Sequence, residues 1–163
     1  MEPKVLNVVL FQPEIPYNTG AVGRTCVGLG AKLWLVRPLG FQLDDRHMKR
    51  AGLDYWPFLD WEVVDDWECL TQKLPQMNRY FFFTKKAKRS YWVPQYQRGD
   101  VLVFGSETNG IPDFFQERYE PQCVRIPIHA NARCLNLSVS VGVGTFEAVR
   151  QIRATENQLE ALE

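Results

Sequence analysis

Val101-Leu-Val-Phe-Gly105-Ser-Glu-Thr-Asn-Gly110-Ile-Pro-Asp-Phe-Phe-Gln-Glu-Arg-Tyr119 carries three structural signals in a row. A β-branched and aromatic run ends at Gly105, as a buried strand does. A polar turn bounded by two glycines follows, and Pro112 suits the first turn of a helix predicted over residues 112–119. Similar apolar runs recur at residues 5–11, 33–36, 80–84 and 123–126, each closed by Pro, Gly or polar residues. Helical patterns fall between them at residues 19–29, 45–51 and 66–74. This alternation predicts an α/β fold with a largely parallel sheet flanked by helices.

Residues 136–153 carry two conflicting periods. Leu137, Val139, Val141 and Val143 alternate as a strand would, whereas Phe146, Val149 and Ile152 set against Glu147, Arg150 and Arg153 form a helical face. The run is long for a strand, so a helix is predicted. Ser138 and Gly142, like Ser140 and Gly144, are four apart, a spacing that would let another helix approach closely.

The chain has 163 residues, 45% of them apolar, which predicts a single domain over residues 1–163. No stretch approaches the roughly 20 apolar residues of a membrane helix. Met1-Glu-Pro-Lys4 also lacks the basic-then-apolar pattern of a signal peptide, so a cytoplasmic protein is expected. Cys26, Cys69, Cys123 and Cys134 are scattered without metal-ligand spacing, which predicts free thiols and no metal. Lys plus Arg equals Asp plus Glu at 19 each, so attraction to a polyanion must come from a local patch. Lys85, Lys86, Lys88 and Arg89, followed by Tyr91, Trp92 and Tyr96, make such a patch or else a solvated loop with inward aromatics.

Loops after strand ends are where open α/β sheets bind ligands. Three are unusual here. Gln12-Pro-Glu-Ile-Pro-Tyr-Asn-Thr-Gly20 is stiffened by prolines and offers Asn18 or Thr19 as a helix N-cap, with Arg24 beyond. Residues 105–112 combine two glycines with Glu107. Residues 126–140, from Ile126 through Cys134 and Asn136, are long and polar. The G-x-G-x-x-G and G-x-x-x-x-G-K-[ST] fingerprints are absent, as is the G-x-S-x-G elbow, which argues against dinucleotide, NTPase and hydrolase chemistry.

In order, Pro13-Glu-Ile-Pro-Tyr-Asn18-Thr-Gly20 with Arg24, Gly105-Ser-Glu107-Thr-Asn-Gly110-Ile-Pro, and Ile126-Pro-Ile with Asn136-Leu-Ser138-Val-Ser140 resemble the three motifs of the SPOUT superfamily. Pro38-Leu-Gly-Phe41, Asp44-Asp45, Gly52-Leu-Asp-Tyr55 and Phe146-Glu-Ala-Val-Arg-Gln151 resemble the TrmL (YibK) group of tRNA (cytidine/uridine-34-2'-O)-methyltransferases. The resemblance spans about residues 7–151.

The resemblance implies a C-terminal deep trefoil knot, S-adenosyl-L-methionine held in it, and a homodimer whose subunits share the site and act on the anticodon region of tRNA. It places Phe83, Gly105, Ile126 and Cys134 on the cofactor and Asn18, Arg24, Glu107 and Asn136 on the reactive side. An arginine keeps its positive charge at physiological pH, so Arg24 is expected to grip a phosphate and stabilise the developing alkoxide rather than act as a base. Asn18 would orient Arg24 or the ribose, Glu107 would fix Arg24 or a ribose hydroxyl, and Asn136 would shape the cofactor loop. Lys85, Lys86, Lys88 and Arg89 would contact tRNA. Two positions depart from the family. Cys134 stands where a serine is usual, and Phe146 where a tyrosine is frequent. A catalytically inactive RNA-binding module, a 2'-O-methyltransferase of another RNA site and a transferase using Cys134 as nucleophile are the alternatives.

Overall fold

The computed structural model describes residues 4–44 and 54–160. Among these, six strands, β1 (Asn7–Phe11), β2 (Lys32–Val36), β3 (Trp61–Val64), β4 (Tyr80–Phe83), β5 (Val101–Phe104) and β6 (Cys123–Val124), form one sheet in the order β3-β2-β1-β5-β4-β6. Each ladder is parallel. A parallel sheet is covered on both faces, and side chains alternate along each strand, so one short run feeds two cores. Val8, Leu10, Phe81, Phe83, Leu102 and Phe104 join one apolar cluster, while Val9, Tyr80, Phe82, Val101 and Val103 join the other. Helices α1 (Pro16–Leu29) and α4 (Leu137–Thr155) cover the first face through Val22, Cys26, Val141 and Ile152. Helices α2 (Trp67–Lys73) and α3 (Asp113–Arg118) cover the second through Leu70 and Phe115.

The helical reading of residues 136–153 is correct. Asn136 is the N-cap of α4, its Oδ1 accepting from the backbone N–H of Ser138 at 2.9 Å and of Val139 at 3.4 Å. Helix α1 starts earlier than predicted, because Pro16 takes the first turn and Ile15 occupies the cap position with no side-chain bond. Asn18 and Thr19 are therefore inside the helix and buried, and neither is its cap. Strand β6 has two residues rather than four; Arg125 beyond it makes a single bridge to Ser90. Strand β3 was not legible among its acidic neighbours. Lys4 and Lys32 pair with Asp60, and Lys32 and Lys73 with Glu62, so the acidic residues are matched at this sheet edge. The predicted helix at residues 45–51 lies outside the described residues.

Strand order places the site. From β1 the chain leaves by α1 to β2 on one side, and from β5 by α3 to β6 on the other. β1 and β5 are neighbours, so the loops at their carboxyl ends diverge and leave a crevice between them. The link from β4 to β5, residues 84–100, has no helix or strand of its own. It is pinned instead by side chains. Tyr96 donates its hydroxyl to the Tyr91 carbonyl at 2.7 Å, and Gln151 on α4 accepts from the Tyr96 N–H at 3.0 Å. Asp100, almost fully buried, accepts from Arg79 Nε at 2.7 Å and from the Gln97 N–H at 2.8 Å.

Removing one partner of a buried ion pair strands the other. Asp100→Ala should lower unfolding stability by about 3 kcal/mol in urea titrations. The paired replacement Arg79→Met with Asp100→Leu should recover most of the loss; an Asp100→Ala midpoint equal to that of the parent would refute this role.

Candidate active site

Three loops meet at the carboxyl ends of β1, β5 and β6, and a chain of side-chain bonds joins them. Glu107, in the loop after β5, accepts the backbone N–H of Glu14 at 2.7 Å and of Ile15 at 3.0 Å, both in the loop after β1. Its Oε1 also accepts from Asn18 Nδ2 at 3.2 Å. Asn18 Oδ1 in turn accepts from Asn136 Nδ2 at 3.1 Å, at the end of the loop after β6. Each asparagine presents a donor and an acceptor, so the sequence Glu107, Asn18, Asn136 and the α4 N-terminus is satisfied in one direction throughout. The Thr108 hydroxyl adds a bond to the Glu14 carboxylate.

The turn after β5 is held close to itself. Gly110 has φ +65°, in the left-handed region, and its N–H donates to the Ser106 carbonyl at 2.9 Å. A Cβ on Gly105 would lie 1.9 Å from the Gly110 carbonyl carbon, so no side chain fits there. Beside this turn lies a cavity of about 350 Å³. Its lining includes all four residues assigned by resemblance to a cofactor, Phe83, Gly105, Ile126 and Cys134, together with Asn18, Glu107 and Asn136. Lys85 and Lys86 reach it as well. Phe104, Ile128, Leu135 and Leu137 also line it and were not singled out from sequence; their signal was adjacency to motif residues.

Arg24 lies elsewhere. It is exposed on α1 and is not part of the cavity lining; its guanidinium sits 4.8 Å from the centre of the Tyr55 ring. In the basic run, Lys86 pairs with Asp113 at 2.6 Å and Arg89 donates to the Pro121 carbonyl at 3.1 Å. Trp92 is 60% exposed, whereas Tyr91 and Tyr96 are buried. Gly144 corrects the helix-contact expectation. It faces inward, where an added Cβ would come within 2.8 Å of the Phe83 ring, which stacks on Phe104 with centroids 4.5 Å apart. The residue therefore shapes the cavity wall, while Gly142, with nothing within 4 Å of an added Cβ, lies in the open part of α4.

The four thiols are free and differ in exposure. Burial pushes Cys26 up to about 12 and Cys123 up to about 11, so both stay protonated at neutral pH. Cys134 is exposed beside the cavity. A maleimide reagent at neutral pH should therefore modify Cys134 before Cys26 or Cys123, which should react only on unfolding. Peptide mapping that finds Cys26 labelled first in the folded protein would contradict this geometry.

The sequence profile of the SpoU rRNA Methylase family matches residues 5–146. The chain is 43% identical over 148 residues to the tRNA (cytidine(34)-2'-O)-methyltransferase of Methylovorus glucosotrophus, covering 90% of this chain and 96% of that protein. It is 46% identical over 149 residues to the protein of the same name from Burkholderia cenocepacia, covering 90% and 96%. A solved structure described as "Structural insights into the 2-OH methylation of C/U34 on tRNA" matches with TM-score 0.86 and 43% identity, over 92% of this chain and 97% of that one. By the extent of the profile match and by these identities, the chain belongs to the SpoU rRNA Methylase family.

Proposed function

We propose that this chain is an S-adenosyl-L-methionine-dependent tRNA 2'-O-methyltransferase that modifies the ribose of the wobble nucleotide 34, cytidine or uridine. The observation that carries this reading is the convergence of three separate motifs on one cavity through Glu107, Asn18 and Asn136. The whole chain is read as one methyltransferase domain of the cytoplasm. The path of residues 125–136 into α4 is read as the trefoil knot of the family.

The cavity suits the methyl donor. Its size and its apolar walls at Phe83, Phe104, Ile126 and Leu135 suit an adenine and the carbon chain around the sulfonium, and the close Gly105–Gly110 turn supplies backbone groups. Phe83, Gly105, Ile126 and Cys134 would hold it. When bound, the donor supplies an electrophilic methyl group. The protein must then align a ribose hydroxyl and ease loss of its proton. Asn136 and Asn18 fix the floor on which that hydroxyl lies, and Glu107 holds both the Asn18 amide and the entry loop. Arg24 grips the adjoining phosphate and stabilises the alkoxide as charge develops.

Because Arg24 lies outside the lining of its own chain's cavity, a homodimer sharing the site accounts for its role. On α1, Tyr17, Ala21, Arg24 and Gly28 recur at helical spacing and are all exposed; on α4, Val139 and Phe146 are 49% and 59% exposed beside the open Gly142. These outward faces are the subunit contact we assign. The basic run Lys85, Lys86, Lys88 and Arg89 is assigned to the RNA backbone near the anticodon, with exposed Trp92 available to stack a base.

The test is mass spectrometry of tRNA nucleosides after incubation with S-adenosyl-L-methionine: 2'-O-methylcytidine or 2'-O-methyluridine at position 34 is expected, and methylation confined to another position would refute the assignment. Arg24→Ala should lower turnover by roughly 10²-fold with cofactor affinity nearly unchanged, and Arg24→Lys should rescue little, since lysine lacks the planar fork. Near-normal turnover in Arg24→Ala would move the charge-stabilising role elsewhere. Gly144→Val should weaken cofactor binding by roughly tenfold or more by displacing Phe83, without dissociating the dimer. Calorimetry and light scattering read the two effects separately, and a monomer with normal cofactor affinity would place Gly144 at the subunit contact instead.

A further inference from the structure

A second, smaller pocket of about 240 Å³ opens beside the cofactor cavity and shares Lys86 and Gln116 with it. Its other walls are Ala87, Lys88, Arg89, Glu120, Pro121 and Cys123. Three cations therefore face one carboxylate. Lys86 is already matched by Asp113, and Arg89 is tied to the wall by its bond to the Pro121 carbonyl, which leaves the rest of its donor fork. Lys88 has no ion-pair partner among the described residues and is exposed. No aromatic face lines the pocket, so it offers charge and hydrogen-bond donors but nothing on which a base could stack.

We propose that this side pocket is a subsite for one phosphodiester of the RNA strand that carries the methylated nucleotide, held by Lys88 and Arg89. The assignment rests on the RNA-methyltransferase reading and narrows it from a basic patch to one linkage beside the reacting ribose. A guanidinium and an ammonium meeting over one phosphate give the charge-assisted bonds that fix register, and register decides which ribose reaches the donor. Burial, with Glu120 as a second cause, pushes the Cys123 thiol up to about 11, so this thiol adds no negative charge at neutral pH and Glu120 is the one carboxylate of the lining. Lys86 and Gln116 line both this anion site and the donor cavity, so the two adjoin.

The test couples one residue to one linkage. Anticodon stem-loop RNAs, each with a single uncharged methylphosphonate linkage at a different position, are bound to the full-length protein and to Lys88→Ala and Arg89→Ala. The parent should lose roughly tenfold affinity at one linkage near nucleotide 34, and the variants should lose a similar factor on unmodified RNA but nothing further at that linkage. Calorimetry with S-adenosylhomocysteine checks that the variants keep an intact donor site. Losses that multiply at every linkage would overturn the subsite while leaving RNA binding in place. Competition by inorganic phosphate in the parent but not in Lys88→Ala, with no linkage dependence, would assign the pocket to a free anion and likewise overturn it. A parent protein that binds donor but no RNA would overturn the subsite and the RNA reading together.

Discussion

Asn18 is the side chain on which the site depends, because its amide joins the two loops that no backbone ladder connects. Its donor goes to Glu107 after β5 and its acceptor to Asn136 before α4. Buried polar groups are costly unless partnered, so an asparagine that is 7% exposed and bonded on both ends leaves few alternative arrangements for its neighbours. The entry loop is fixed from the same carboxylate through the N–H groups of Glu14 and Ile15. Three sequence motifs far apart in the chain thereby become one rigid rim.

The sheet supplies what that rim needs. Parallel strands with side chains divided between two cores hold β1 and β5 side by side, and the reversal in strand order between them sends the following helices to opposite faces. A crevice at that point follows from the connectivity, before any functional residue is considered. The residues then specialise it: Gly105 and Gly110 close a tight turn, and the Phe83–Phe104 stack backed by Gly144 makes a flat apolar wall. The long 84–100 link carries the basic run past both pockets and is anchored at its far end by Tyr96 and Asp100.

Much of this was legible in the sequence, and the exceptions have physical causes. Apolar runs bounded by Gly, Pro or polar residues marked five of the strands, because a strand buried on both faces has few polar positions to blur it. β3 escaped because it is an edge strand whose acidic residues are matched by lysines distant in sequence. Asn18 resembled a helix cap because local spacing reveals only local partners; its real partners lie 89 and 118 residues away. Gly144 shows the limit of spacing rules. A four-residue interval fixes a row on a helix but not which neighbour that row meets, and this row meets Phe83. The motifs named many of the residues around the cavity, but motif spacing alone does not place Arg24, which lies outside its lining.

The central claim is that Glu107 and Asn136 act on the donor site as one unit through Asn18. A double-mutant cycle with Glu107→Ala and Asn136→Ala, read as S-adenosylhomocysteine affinity by calorimetry, tests it most directly. Residues in one hydrogen-bonded network show coupling of about 0.5–3 kcal/mol, so the double variant should bind hardly worse than either single one. Losses that simply add, in variants whose thermal unfolding remains cooperative, would mean that the two residues act independently and that the relay does not organise the site.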